Sequence, residues 1–105
     1  MVIIETPIFT KLIKELMSDD EYKDLQEALV NRPDRGSLIK NNGGLRKVRW
    51  ALEGRGKSGG ARVIYYWMTD NDQLYMLLAY PKNVQDNLTD IQLKTLKKIV
   101  ERWSE

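Results

Sequence analysis

The chain of 105 residues contains no cysteine and no histidine, and both absences restrict the chemistry open to it. Without cysteine it has no disulfides, thiolate metal ligands or cysteine nucleophiles. Without histidine it has no Ser-His-Asp triad, no histidine–glutamate zinc site and no paired-histidine ribonuclease mechanism. Acid–base chemistry must therefore use lysine, arginine, tyrosine or carboxylate side chains. We expect no metal ion and no organic cofactor.

Long apolar runs are also missing. The N-terminal segment MVIIETPIF lacks the basic region of a signal peptide, and its apolar run is too short to span a membrane. Hydrophobic residues make up 42% of the chain and charged residues of both signs 30%, which is typical of a soluble domain with one core. We therefore expect a single domain over residues 1–105 that resides in the cytoplasm and does not bind membranes.

The first third of the chain predicts one strand and two helices. Thr6 and Pro7 have the N-cap and first-position preferences of a helix start, and Ser18 with Glu21 forms a capping box. Pro33 disfavours helical backbone at the residue before it, so the second helix should end near position 31. The predicted elements are a strand from Val2 to Glu5, a helix through Met17 and a helix from the Ser18 cap to about Asn31.

The remainder predicts three strands and a last helix. Apolar and polar residues alternate from Leu45 to Leu52, and the run from Ala61 to Thr69 is rich in β-branched and aromatic residues. An Asp-Asn-Asp turn leads into a strand from Gln73 to Tyr80, and Thr89 opens a second capping box before the last helix. The expected fold is α+β in the order β-α-α-β-β-β-α, with two N-terminal helices and one C-terminal helix packed on an antiparallel sheet.

Positive charge is concentrated between residues 46 and 62. That stretch holds six basic residues and one acid, Glu53, whereas the other 88 residues hold 11 basic and 14 acidic residues. Dense positive charge on a rigid element is typical of a protein surface that binds phosphates. The pattern favours nucleic acid as the partner. The six basic residues are Arg46, Lys47, Arg49, Arg55, Lys57 and Arg62.

The glycine-rich loop at 54–59 resembles two phosphate-binding motifs, but its context fits neither. GRGKSG matches the G-x-G-x-x-G of dinucleotide-binding folds, and GKS matches the end of a P-loop, whose first glycine would stand at Ala51. Both motifs require a helix after the loop, and here the sequence predicts a strand. We interpret the loop as a hairpin connection that holds Arg55 and Lys57 where phosphates can reach them.

Strand alternation predicts that several cations share one surface. Lys47 and Arg49 fall on the same face of their strand, about 6.5 to 7 Å apart, and hairpin pairing of the next strand brings Arg62 beside them. An exposed basic residue on a strand face is more often only solubilising, so the concentration of charge carries the functional interpretation. The residues expected to complete this positive, aromatic-flanked surface are Tyr66, Tyr80 and Lys82.

A surface of this kind suits single-stranded RNA, because bases stack on tyrosine while phosphates pair with arginine and lysine. RNA also carries its own nucleophile, the 2′-hydroxyl group. A protein that cleaves RNA has to deprotonate this hydroxyl, stabilise the phosphorane and protonate the leaving oxygen. Guanidinium groups suit the phosphorane charge, and a lysine crowded by other cations has its charged form disfavoured and can act as the base.

Several separate blocks of the sequence resemble the RelE/ParE superfamily of bacterial toxins, and most closely its HigB-like branch. The blocks are GGLRKVR at 43–49, the loop at 54–60, ARVIYY at 61–66, YPKN at 80–83 and Leu88 before the last helix, and they cover nearly the whole chain. The resemblance implies the toxin of a type II toxin–antitoxin system. Such a toxin is an endoribonuclease, or mRNA interferase, that enters the A site of the 30S ribosomal subunit, cleaves the mRNA there by metal-independent 2′-hydroxyl attack and inhibits translation. A cognate HigA-like antitoxin protein is implied as its partner.

The resemblance also implies roles for single residues. Lys47 and Arg49 correspond to a base or charge stabiliser, Arg62 to a phosphate clamp and Lys82 to the basic position after the last strand, so these four are the expected catalytic residues. Asn83 stands where RelE-like members have an arginine and Leu88 where they have a tyrosine, which leaves the general acid open between Tyr80, Tyr66 and a lysine. The expected RNA-binding residues are Arg46, Arg55, Lys57, Tyr66 and Tyr80.

Two other functions stay open from the sequence. A ParE-like toxin would poison DNA gyrase and cause DNA damage while mRNA stays uncut. A non-catalytic module would bind RNA or the ribosome without cleavage. The non-catalytic module predicts an affinity that falls with salt, with a logarithmic slope of about −0.7 for each phosphate contacted on single strands.

Overall fold

The computed structural model describes residues 1–40, 42–52 and 60–103, which form three helices and one five-stranded sheet. Arg55 and Lys57, both expected to contact RNA, lie outside the described residues. Within those ranges, no helix combines the length and the apolar composition needed to cross a membrane. The strands are β1 (Val2–Glu5), β2 (Ser37–Leu38), β3 (Leu45–Trp50), β4 (Ala61–Met68) and β5 (Gln73–Pro81), and the helices are α1 (Pro7–Leu16), α2 (Asp19–Asn31) and α3 (Asp90–Trp103).

The predicted helix starts are confirmed at the level of individual hydrogen bonds. The side chain of Thr6 accepts from the backbone N–H of Phe9 at 3.1 Å, which caps α1. Ser18 and Glu21 form the reciprocal capping box of α2, with bonds of 3.1 and 2.9 Å. Thr89 forms the same box with the residue three positions later and so fixes where α3 begins. These bonds satisfy backbone groups that would otherwise lack partners in the first turn of each helix.

The sheet has the strand order β1-β5-β4-β3-β2 and is mixed. The meander β3-β4-β5 is antiparallel, as predicted, but β1 pairs with β5 in parallel, so the expectation of a wholly antiparallel sheet was wrong. Helices α1 and α2 separate β1 from the next strand along the chain. β1 therefore does not pair with that strand and lies instead at the free edge of β5, the last strand. The two-residue strand β2 pairs with β3 and was not predicted, because it is too short to show a periodic pattern.

Both faces of the sheet are covered by helices. Helices α1 and α2 pack on one face, where the core includes Phe9, Leu25, Leu29, Val63 and Tyr65. Helix α3 packs on the other face, where the core includes Leu45, Ile64, Leu77, Leu96 and Val100. Burial of each side chain of this size contributes about 1.5 to 3 kcal/mol. The sheet is therefore held rigid from both sides, and its charged residues can be exposed only near its ends.

A β-bulge in the middle of β5 determines which side chains reach the α3 face. The register shifts between Ile64 and Tyr65, so that Leu77 is an extra residue in the β4–β5 pairing. Because side chains alternate along a strand, Tyr75 and Tyr80 would lie on opposite faces without the shift. With it, both belong to the cluster packed against α3. The bulge thus brings Tyr80 to the same face as Arg62, its partner across the strands.

Candidate functional site

The predicted cations on β3 and β4 lie together at one end of the sheet. Arg49 is directly opposite Arg62 in the β3–β4 pairing, and Lys47 is opposite Ile64 two positions along. Residues paired in this way have Cα atoms about 4.5 to 5.5 Å apart. Arg62 is in turn opposite Tyr80 in the β4–β5 pairing. We call Lys47, Arg49, Arg62, Tyr80 and the adjoining Lys82 the sheet-end cluster.

Arg62 is buried beneath the loop that joins β5 to α3, here called the 82–89 loop. Its side chain is only 6% exposed, and its Nε donates to Oδ1 of Asp86 at 3.0 Å. Its Nη1 also donates to the carbonyl of Ala61 at 3.3 Å. Chiefly because Arg62 donates to it, the pKa of the Asp86 carboxyl is held below its ordinary value, and the nearby Lys47 and Lys82 add to this effect. Asp86 is therefore the counter-charge of the cluster.

Lys47 and Tyr80 also bond to the 82–89 loop. The ammonium group of Lys47 donates to Oδ1 of Asn87 at 2.8 Å and, more weakly, to the carbonyl of Asp86 at 3.4 Å. The hydroxyl of Tyr80 donates to the same carbonyl at 3.2 Å. Burial raises the pKa of Tyr80, although the positive charge of Arg62 partly opposes the rise. The Tyr80 hydroxyl is therefore held in its neutral form as a hydrogen-bond donor to the loop.

Arg49 and Lys82 are the exposed cations of the cluster. Within the part of the chain that the structure describes, Arg49 forms none of the side-chain hydrogen bonds or ion pairs. It lines an open cleft of about 400 Å³ whose other lining residues include the acids Glu21 and Asp24 of α2. Arg35 and Trp50 line it too, with the guanidinium 5.2 Å from the ring centroid. Lys82 is fixed through its backbone, which donates to the carbonyl of Gly60 at 2.9 Å. Both charged groups are accessible to a ligand.

Two of the expected RNA-binding residues are not part of this cluster. Arg46 precedes Lys47 and points to the opposite face of the sheet, where its Nη1 donates to the carbonyl of Gly36 at 2.7 Å and to that of Asp34 at 3.2 Å. Tyr66 shares the face of Arg62 but lies four residues further along β4, about 13 Å away. There its ring approaches Gly44, where an added Cβ would lie 2.9 Å from ring atom Cε1.

Sequence reasoning missed the two residues that organise the cluster, Asp86 and Asn87. Asp86 follows Arg62 by 24 positions and lies in a loop, so strand alternation contains no information about it. The short connection between β5 and α3 is nevertheless a feature of the sequence that could have located these two residues. Pro81 ends β5 beside the cluster and Thr89 caps α3, so the few polar residues between them must lie near Tyr80 and its neighbours.

The chemistry available at the cluster is that of cations, one hydroxyl and one carboxylate. Lys47, Arg49 and Lys82 can contact phosphate, since each is partly or fully exposed. Guanidinium and ammonium groups held on a rigid sheet can stabilise negative charge that develops during a reaction, without first having to reorganise. Among the described residues, no group of three or more histidine, cysteine, aspartate or glutamate side chains is placed to hold a metal ion.

Comparison with known proteins identifies the family. A family model described as "RelE toxin of RelE / RelB toxin-antitoxin system" matches residues 1–105. The chain belongs to the RelE toxin family. A chain of the intact E. coli RelBE toxin–antitoxin complex is similar in structure, with a TM-score of 0.59 and 12% sequence identity over 76% of this chain and 94% of that chain. An E. coli RelE double mutant in the free state gives a TM-score of 0.57 and 12% identity over 81% of this chain and 86% of that chain.

Membership of the RelE toxin family confirms the resemblance seen in the sequence at the level of the RelE/ParE superfamily. The two structural matches, at 12% identity, confirm the α+β fold. In this RelE-family toxin the sheet-end cluster brings together the four residues expected to be catalytic, Lys47, Arg49, Arg62 and Lys82, beside Asp86. We take this cluster as the candidate functional site.

Proposed function

We propose that this RelE-family toxin is a ribosome-dependent mRNA endonuclease of a type II toxin–antitoxin system, related to the HigB-like branch and acting in the cytoplasm. The observation that carries the proposal is the convergence of Lys47, Arg49 and Lys82 on one rigid end of the sheet, above the buried Arg62. Among the described residues, Asp86 is the acid paired with a cation of this cluster, and the excess of positive charge suits a polyanionic substrate. The ribosome would present that substrate as mRNA in the A site of the 30S subunit.

The proposed reaction uses the 2′-hydroxyl group of the RNA as nucleophile. The 2′ oxygen forms a bond to the adjacent phosphorus while the bond from phosphorus to the 5′ oxygen breaks, so no external water or metal-bound nucleophile is required for cleavage. We assign the stabilisation of the phosphorane to Arg49, whose guanidinium stays charged throughout, and to the ammonium group of Lys47, while the 2′-hydroxyl proton passes to solvent water. Lys82 contacts a neighbouring phosphate.

Tyr80 is the proposed general acid that protonates the leaving 5′ oxygen. Its hydroxyl lies at the cluster, where it donates to the carbonyl of Asp86 at 3.2 Å. Tyr66, the other tyrosine considered from the sequence, lies about 13 Å away along β4. Arg62 is too deeply buried beneath the 82–89 loop to contact a phosphate, so we assign it the role of anchor for that loop.

A HigA-like antitoxin protein is the proposed partner, and it would neutralise the toxin by covering or distorting the basic surface. Support comes from the family description, which pairs toxin with antitoxin, and from the structural likeness to a chain of a toxin–antitoxin complex. Co-expression with such an antitoxin should restore growth, and the complex should protect Arg49 and Lys82 from chemical modification. Growth arrest that persists with a bound antitoxin would contradict this part of the proposal.

The decisive experiment measures cleavage of mRNA in programmed ribosomes by the purified toxin. The wild-type protein should cut A-site mRNA, whereas Lys47→Ala and Arg49→Ala should each slow the cut by roughly 10² to 10³-fold, the range found on removing one transition-state donor. Lys11→Ala is the matched control, because Lys11 is an exposed cation on α1, which packs on the other face of the sheet. It should cleave as the wild type does.

Each competing function gives a different result in the same cells. Growth arrest with DNA-damage signalling and intact mRNA would replace the proposal with a gyrase poison. Salt-dependent binding to ribosomes or RNA with no cleavage under any condition would replace it with a non-catalytic binding module.

A further inference from the structure

The 82–89 loop contacts three residues of the sheet-end cluster, and Asp86 takes part in the contact with each of them. Its carboxylate accepts from Arg62 at 3.0 Å, and its backbone carbonyl accepts from Tyr80 at 3.2 Å and from Lys47 at 3.4 Å. We propose that Asp86 is a positioning residue, which holds the reactive side chains in place without contacting the RNA itself. This inference rests on the proposed RNA cleavage for its activity readout.

The first step of the argument is the burial of Arg62. A buried guanidinium carries a large desolvation cost unless it is paired, and the Asp86 carboxylate supplies the pairing charge. The pair is asymmetric, because the Arg62 side chain is 6% exposed whereas that of Asp86 is 46% exposed. Arg62 therefore serves as a fixed point of the sheet to which the loop is attached.

The second step links the carboxylate of Asp86 to its carbonyl. Because Arg62 fixes the side chain, the backbone of the same residue is held at one position above the sheet. The carbonyl then orients the Tyr80 hydroxyl, and it contributes the weaker of the two bonds that orient Lys47. A displacement of about 1 Å in a reactive group can lower a rate by roughly 10²-fold. Loss of the carboxylate should therefore affect the reaction through two residues that it does not touch.

The third step is that the ends of the loop are attached independently of Asp86. At the start, the N–H of Lys82 donates to Gly60 and that of Val84 to Pro81, at 2.9 and 3.1 Å. The neighbouring Gln85 is also attached, because its side chain donates to that of Gln92 at 2.9 Å. Removal of the Asp86 carboxylate should therefore free Asp86 itself while the fold and the rest of the loop stay in place.

The test compares Asp86→Ala and Asp86→Asn with the matched control Asp70→Asn. Asp70 is exposed in the β4–β5 turn at the opposite end of β4, so the control makes the same change of charge away from the cluster. Single-turnover cleavage in programmed ribosomes measures the rate, and titration with a 2′-O-methyl RNA, which cannot be cut, measures affinity. Thermal unfolding verifies that each variant is folded.

The expected result separates rate from affinity. Asp86→Ala should slow cleavage by roughly 10²-fold, and Asp86→Asn should slow it less, because the amide oxygen still accepts from Arg62. Affinity for the uncleavable RNA should stay equal or increase, since a negative charge is removed from a phosphate-binding surface. Asp70→Asn should match the wild type in both measurements. Cleavage by Asp86→Ala at the wild-type rate would overturn the proposal, and faster cleavage with tighter binding would mean that Asp86 occupies the place of a substrate phosphate.

A second measurement is independent of cleavage and distinguishes failure of this inference from failure of the proposed function. The Tyr80 hydroxyl should titrate at lower pH in Asp86→Ala, because it loses a negative neighbour and becomes more solvated. The NMR signal of the Arg62 Nε–H should broaden or shift. If the wild-type toxin cuts no RNA, the proposed function fails while these signals still decide the positioning role. Unchanged Tyr80 and Arg62 signals would refute that role.

Discussion

Replacing Tyr65 with phenylalanine removes a single oxygen atom from the fold, and we expect it to lower the free energy of unfolding by about 2 to 3 kcal/mol. Tyr65 is fully buried in β4. Its hydroxyl donates to the carbonyl of Pro33 at 2.6 Å and accepts from the backbone N–H of Gly36 at 2.8 Å. The net contribution is about 1 kcal/mol for each bond, and the buried Gly36 N–H left without a partner adds to the loss.

Urea or thermal unfolding of the purified proteins measures this effect. With an unfolding entropy of about 2.1 cal/mol/K per residue, the loss corresponds to a fall in Tm of about 10 °C for a chain of this length. Tyr66→Phe is the matched control at the next position, because the Tyr66 hydroxyl forms no hydrogen bond within the described ranges of the chain. Equal stability of the two variants would refute the claim that Tyr65 holds the segment after α2 against the sheet.

Three further predictions concern polar contacts, two of them away from the cluster and one beside it. Arg46→Met should lower the free energy of unfolding by about 1 to 2 kcal/mol, as measured by urea unfolding. RNA affinity should stay unchanged in a titration, because the Arg46 guanidinium donates to backbone carbonyls on the face opposite the cluster. Tyr22→Phe should cost about 1.5 to 3 kcal/mol in the same unfolding assay, because its hydroxyl donates to the Glu5 carboxylate at 2.5 Å. Asp86 has a lowered pKa in the folded state, so its contribution to stability is present above its ordinary pKa of 3.8 and is lost as the pH falls through the folded-state value. Wild type and Asp86→Asn should therefore converge in stability between about pH 5 and pH 2.

The helices and the antiparallel meander could be predicted because their signals are local. The caps at Thr6, Ser18 and Thr89 each depend on residues within one helical turn, and the alternation on β3 and β4 depends on neighbours two positions apart. The parallel partner of β1 could not be predicted in this way. That pairing is set by where α1 and α2 pack, which depends on contacts distant in sequence.

The residues of the candidate site likewise divide into those that local patterns predict and those that depend on contacts distant in sequence. Lys47, Arg49 and Arg62 were placed on one surface by alternation and by hairpin pairing alone. Arg46 was included because charge was counted along the sequence, although neighbouring strand residues point to opposite faces and alternation already separates it from Lys47. Asp86 was missed for the converse reason: its contribution depends on a loop that crosses over the end of the sheet, and nothing within two residues of it indicates that position.

The balance of charge at the cluster bears on how binding and catalysis divide between its residues. The carboxylate of Asp86 is paired with Arg62, the most buried cation of the cluster. The exposed charge of Lys82 is thus left to attract phosphate, an effect that depends on charge and salt more than on exact position. Stabilisation of the phosphorane instead requires groups fixed before the reaction begins, because only interactions stronger in the transition state raise kcat. Lys47 and Tyr80 are held in this way by the 82–89 loop. Loss of Lys82 should therefore weaken RNA binding, whereas loss of the Asp86 carboxylate should lower kcat while binding persists.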